Sequence, residues 1–269
     1  MSAIASFSPR RVGAMVLRHL YLLRGSWPRA FELVYWPTLT MVLWGFTSQF
    51  LVTNSSWVAR AGGVLIYAVL LWEVLFRSQL GMAFSFLEEM WSRNLGHLFV
   101  SPIRSWEMAT GIIIAALLRT LLGLVPVSLL AWAFFGYNIY TLGLPLIAFF
   151  FILQMFSWSI GLAMSGMIMR VGQSAESFAW AAVFILMPVS GVYYPVSVLP
   201  KWLQAISWGL PPAYVFEGMR AIMIEKTVHW HSLGIAFALS VVYLVIGFQI
   251  FQWFFRLSRR AGTLLGQGE

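Results

Sequence analysis

The chain has 269 residues, of which 60% are hydrophobic and 10% charged, and its mean hydropathy is +0.81. A soluble domain of this size cannot hide that much apolar surface, so the composition points to a membrane protein whose backbone polar groups are paired inside helices. The net charge of +8 comes from Lys and Arg placed mostly at the ends of apolar runs, as headgroup anchors are, which argues against nucleic acid; with no cysteine there are no disulfides, thiolate metal sites or Cys nucleophiles.

Residues 1–8 lack the charged start, apolar middle and cleavage site of a signal peptide. Over 9–27, Val12, Met15, Val16, Leu20 and Leu23 recur at helical spacing among Arg10, Arg11, Arg18 and Arg24, and Pro28 closes the segment. This predicts a helix lying in the membrane surface, with a plain cytoplasmic lead-in as the alternative.

Six apolar runs follow, over 31–52, 64–87, 108–135, 142–169, 178–194 and 233–257, and each reads as a transmembrane helix. The fourth carries Gly161 and Ser165, a small-xxx-small pair that permits close helix packing. The fifth is slightly short and has Pro188 and Gly191 near its end. The whole chain, 1–269, therefore reads as one all-α transmembrane domain.

Between the second and third runs lies a polar island, 88–102, that begins with Glu88 and Glu89. Trp91, Leu95 and Leu98 fall at i, i+4 and i+7, and Glu89 pairs with Arg93 at i,i+4, which predicts a compact amphipathic helix facing water. Pro102 stops it, and Ser105 with Glu107 is placed to cap the next helix. A docking partner is expected to meet Glu89, Arg93 and His97 as polar contacts and Trp91 or Leu98 as an apolar anchor. Counting Lys and Arg in the connections gives eleven on the side of the island and both termini and four on the other, so the island and termini are predicted to be cytoplasmic.

The long external stretch 195–230 contains Pro195, Pro200, Pro211 and Pro212 between apolar and aromatic pieces that include Trp202. It reads either as two short helices dipping back into the outer half of the membrane or as an interfacial cap anchored by Trp and Tyr. Inside the second and third runs, Glu73, Arg77 and Arg119 are charges that need partners at that depth. Equal sequence distances from the elbow put Glu73 and Arg119 at similar depth, so Glu73 is expected to bridge Arg77 and Arg119. The cluster is then either a clamp between helices or a contact for an anionic headgroup. His229 and His231 lack an acidic cluster, so no metal site is expected; the chain has neither a G-x-x-x-x-G-K-[ST] loop nor a G-x-S-x-G elbow.

Taken together, the amino-terminal helix, the stretch Leu98-Phe99-Val100-Ser101-Pro102-Ile103 and the segment from Gly191 through Tyr193, Tyr194, Pro195, Pro200 and Pro211 to Glu217 and Arg220 resemble an ABC-2 family transport permease. The resemblance implies that the island, with Glu88 at its head, is a coupling helix that docks on a separate ABC ATPase subunit. It also implies that 195–230 forms external re-entrant helices, and that two permease copies work with two ATPase copies. ATP and Mg would then belong to the partner, with no cofactor bound by this chain. It further implies a multi-pass inner-membrane location among membrane lipids and export of a lipid-linked, glycan or amphiphilic substrate. Two other readings stand beside it: a membrane-embedded lipid-modifying enzyme, and a non-transporting assembly subunit.

Overall fold

The computed structural model describes residues 8–54, 62–91 and 101–261. Nine helices are found among them: α1 (Pro9–Arg24), α2 (Trp27–Asn54), α3 (Gly62–Trp91), α4 (Ser105–Phe135), α5 (Leu144–Val171), α6 (Glu176–Val189), α7 (Lys201–Trp208), α8 (Pro211–Arg220) and α9 (Trp230–Ala261). Four of these, α3, α4, α5 and α9, are long and apolar enough to cross a membrane. α2 has the length, but Trp36, Pro37, Thr38, Thr40, Thr47, Ser48 and Gln49 dilute its hydropathy, and α6 has only 14 residues.

Side-chain contacts fix the helix directions. Arg11 meets Glu107 and Met15 packs at Gly111, while the Leu33 carbonyl lies at Gly123 and Phe135 at Gly45, so α1 and α2 run parallel to α4. A jog at Gly25 and Ser26 separates α1 from α2. On the other flank the Ser157 hydroxyl donates to the Leu75 carbonyl, and Ser240 and Ser258 donate to those of Ile152 and Met169, which makes α3, α5 and α9 parallel to one another. Tyr67 of α3 donates to the Asn138 carbonyl just past the end of α4, and Arg77 lies against Gly123, so α3 runs opposite to α4. The molecule is thus two groups of like-directed helices with α3 at their border. In its most apolar stretch 83% of α3 is buried inside the protein, against 22% for α9.

Small residues let these helices approach closely. Gly161 faces Met82 and the Gln79 carbonyl, and the Ser165 hydroxyl donates to Met82, so the predicted small pair lies on the α3 face of α5. A second set, Ser240, Gly247 and Ser258 of α9, lies along α5, with Gly247 directly against the Ser159 backbone. Gly136 closes α4 at φ 74°, a left-handed conformation that a side chain disfavours, and donates to the Trp132 carbonyl.

Several boundaries differ from the sequence reading. The second run does not stop at Leu87: α3 continues through Trp91, so Glu88 and Glu89 sit in its last turn rather than on a separate helix. Arg93, Leu95, His97 and Leu98 lie outside the described residues. The fifth run ends at Val189, where Ser190 and Gly191 begin a turn in place of the predicted helix to 194. Only half of the predicted cap forms: the Glu107 carboxylate accepts from the Arg104 N–H at 3.0 Å, but the Ser105 hydroxyl instead donates to Gln252 of α9 at 2.8 Å.

Candidate functional site

The ends of the two helices that flank the elbow are tied to α1. On the α4 side Glu107, with its side chain fully buried, accepts from the Ser8 N–H at 3.1 Å, from the Arg104 N–H, and from Arg11 Nη2 at 2.8 Å. On the α3 side Arg18 donates through Nε and Nη2 to both oxygens of Glu89, each at 2.7 Å, and the Glu89 side chain is 2% exposed. Glu89 is therefore buried against α1 rather than on a water-facing surface, and its expected i,i+4 partner Arg93 lies outside the described residues. The physical reason is that Glu88 and Glu89 stand at the carboxy-terminal end of a helix, where its dipole disfavours anions, and α1 supplies the compensating guanidinium.

Glu88 is shared. Arg119 Nη2 lies 3.4 Å from one of its oxygens and Arg29 Nη1 of α2 3.8 Å from the other. The expected bridge from Glu73 to Arg119 does not form. Glu73 accepts from Arg77 Nε at 2.9 Å within α3, and Glu32 of α2 adds a second negative charge near Arg77. Since Tyr67 and Arg77 lie level with Asn138 and Gly123, Glu73 is level with a stretch of α4 beyond Arg119. Equal counting from Leu87 and Ser105 failed because α3 is longer than the apolar run and α4 starts at a different level.

His19 occupies the middle of this junction, 1% exposed, with its Nδ1–H donating to the Met15 carbonyl at 2.8 Å. Burial holds its imidazole below the ordinary value; the nearby Arg119 charge acts the same way, against the Met15 carbonyl and the Glu89 and Glu88 carboxylates. His19 Nε2 and Arg119 Nε are both buried without a hydrogen-bond partner. The sequence reading missed this set of partners. Its signal was present: Arg11 and Arg18 are seven apart on the same face as Met15, so two arginines of an amphipathic helix had to point at protein rather than water.

At the other end, Tyr193 stacks on Trp44 of α2 with ring centroids 4.5 Å apart, and the Tyr194 hydroxyl donates to the Pro188 carbonyl. Pro195 precedes a single 3-10 turn, Val196–Val198. The Pro200 carbonyl accepts from the Leu203 and Gln204 N–H groups at the start of α7, Trp202 is exposed, and Pro211 opens α8. Glu217 and Arg220 hold this end together. Glu217 Oε1 accepts from the Val196 N–H at 2.6 Å, and Arg220 donates to Glu217, to the Gly191 carbonyl at 2.7 Å and to that of Val192. Trp91 is half exposed at the end of α3, and Pro102 is exposed in the bend before α4. Among the described residues no three His, Cys, Asp or Glu side chains come together as a metal site would require.

A family model described as ABC-2 type transporter matches residues 20–224, most of the chain. Curated relatives include proteins named probable multidrug ABC transporter permease YbhR from Escherichia coli strain K12 and from Escherichia coli O157:H7. Each is 28% identical over 148 residues, which cover 52% of this chain and 39% of the relative. The match therefore spans about two fifths of those relatives' length.

Proposed function

We propose a function from one premise: the chain belongs to the ABC-2 type transporter family. It is the membrane permease subunit of an ATP-driven exporter in the cytoplasmic membrane. A separate ABC ATPase, carrying the ATP and Mg, docks on the elbow over 88–102. Two permease copies pair, α2 and α6 join the four apolar helices as the first and fifth of six spans, and 195–230 re-enters the outer half of the membrane. Both termini face the cytoplasm, where the arginine-rich connections lie. A lipid-linked, glycan or amphiphilic solute is carried outward.

The observation that carries this reading is the bracing of the elbow. Work done in an ATPase reaches the spans only through a contact that does not bend. The last turn of α3 and the first turn of α4 are both ion-paired to one helix, through Arg18 to Glu89 and Arg11 to Glu107. A displacement of the elbow is then shared by α1, α3 and α4 together rather than absorbed by one strut.

The test is co-expression with the cognate ATPase. The permease alone hydrolyses no ATP and the pair forms a stable complex. Leu98→Asp, which forces an unpaired charge into the docking contact, abolishes the complex while the helices still insert. A Leu98→Asp protein that binds its ATPase and transports normally makes 88–102 a plain connection. Reporters fused within 90–100 that read the far side of the membrane would reject the assignment outright.

A further inference from the structure

The arginines of α1 lie on two faces with different surroundings. One face buries Val12, Met15, His19 and Leu23 and sends Arg11 and Arg18 to Glu107 and Glu89. The other carries Arg10, Ala14, Leu17, Tyr21 and Arg24, a stripe stepping by four and three residues in turn and exposed from end to end. Leu17 is 52% exposed and Tyr21 65%, and Trp27, just past the jog, is 74% exposed.

The protein supplies no counter-charge to this stripe. Five arginines precede Glu32, the first carboxylate in the chain. Glu88, Glu89 and Glu107 are already engaged by Arg11, Arg18, Arg29 and Arg119, and among the described residues no carboxylate lies within salt-bridge distance of Arg10 or Arg24. Water solvates two guanidiniums well but leaves Leu17 and Tyr21 uncovered. An anionic surface with carbon beneath it suits both. The stripe also runs on into such a layer: Trp27 stacks on Phe31 with centroids 5.2 Å apart, and Phe31 on Tyr35 at 5.0 Å, an exposed aromatic ladder along the start of α2. A water-soluble partner could cover the stripe but could not follow the ladder along α2. A lipid covers both.

We propose that the exposed face of α1 binds anionic phospholipid headgroups, with Arg10 and Arg24 on the phosphates and Leu17, Tyr21 and Trp27 on the carbon beneath. The stripe thus selects among lipids by charge rather than merely resting on them. Because the opposite face holds Glu89 and Glu107, a bound lipid pins the helix that braces the elbow. Binding requires only that the chain lie in a bilayer, so it stands or falls separately from ATPase docking.

The experiment titrates the purified full chain in an uncharged detergent with phosphatidylglycerol and, separately, with phosphatidylcholine of the same acyl length, and counts retained lipid by native mass spectrometry. Phosphatidylglycerol is retained in preference, and Arg10→Gln with Arg24→Gln weakens it about thirtyfold, roughly fivefold for each charge. Both side chains are exposed, so the double variant keeps its fold. Lys201→Gln, an exposed charge at the other end of the molecule, leaves retention unchanged, and inorganic phosphate at the same concentration displaces no lipid. Equal retention of the two lipids overturns the proposal, as does an equal loss in Lys201→Gln. Unchanged retention in the double variant gives the stripe to another partner such as the ATPase, and displacement by inorganic phosphate makes it a site for soluble anions; either result also overturns it.

Discussion

Where α1 meets α3 and α4, four arginines, Arg11, Arg18, Arg29 and Arg119, face three carboxylates, Glu88, Glu89 and Glu107; where α5 meets α9, glycine and serine bring the backbones into contact. The two regions fail in different ways. A contact between backbones has no slack, because neither side can rotate away from an added methyl group. An ion pair has slack on whichever partner reaches water and none on the partner that is buried. The first region can therefore be edited one residue at a time with graded results, and the second cannot.

The largest expected effect is at the α5–α9 seam. Gly247→Val drives a branched side chain into the Ser159 backbone and costs at least about 3 kcal/mol, seen as loss of folded protein by size-exclusion chromatography after heating. Gly161→Ala, whose added carbon meets Met82 Sδ and Cβ at under 3 Å and the Gln79 carbonyl at 3.3 Å, crowds the backbone less closely and costs about 2 kcal/mol. If the two variants melt together, the seam is no tighter than the α3–α5 contact.

Next comes the asymmetry inside the charged junction. Arg18→Ala strips the 2% exposed Glu89 of its bidentate partner and costs about 3 kcal/mol, whereas Glu89→Gln leaves an arginine that is 38% exposed and costs about 1 kcal/mol. Equal losses in thermal stability would show that Glu89 reaches water.

A double-mutant cycle then separates the two arrangements of the buried charges. Glu88→Gln with Arg119→Leu shows a coupling of about 1 kcal/mol, while Glu73→Gln with Arg119→Leu is additive within about 0.5 kcal/mol. Coupling at Glu73 in place of Glu88 would restore the three-member cluster that equal counting from the elbow suggests.

The smallest effect is pH dependence through His19. Its folded value lies below the ordinary 6.5, so the unfolded chain takes up a proton that the folded chain refuses. Stability is thus complete above pH 6.5 and is lost as pH falls from there toward the folded value, by at most about 1.4 kcal/mol per unit. The protonated ring would stand beside Arg119, and Glu88 and Glu89 are already engaged by arginines. Melting temperatures between pH 7.5 and 5.5 check this, and His19→Gln flattens the slope.

The close-packing role of Gly161 and Ser165 was legible because a small-xxx-small pair is a local signal. The partners of Glu88, Glu89 and Arg119 were not. Reading a span by its apolar residues ends it at the first carboxylate, yet α3 carries Glu88 and Glu89 in its last turn because α1 and α2 bring Arg18 and Arg29 to them.

Composition and periodicity by themselves determined that this chain is helical and that it lives in a membrane, because both follow from which residues can face lipid. Which charge meets which was decided only by the tertiary structure. Helix register is set by backbone contacts, at Gly123 against Leu33 and Gly247 against Ser159, and a displacement of one turn there moves a guanidinium by about 5 Å, enough to exchange one carboxylate for another.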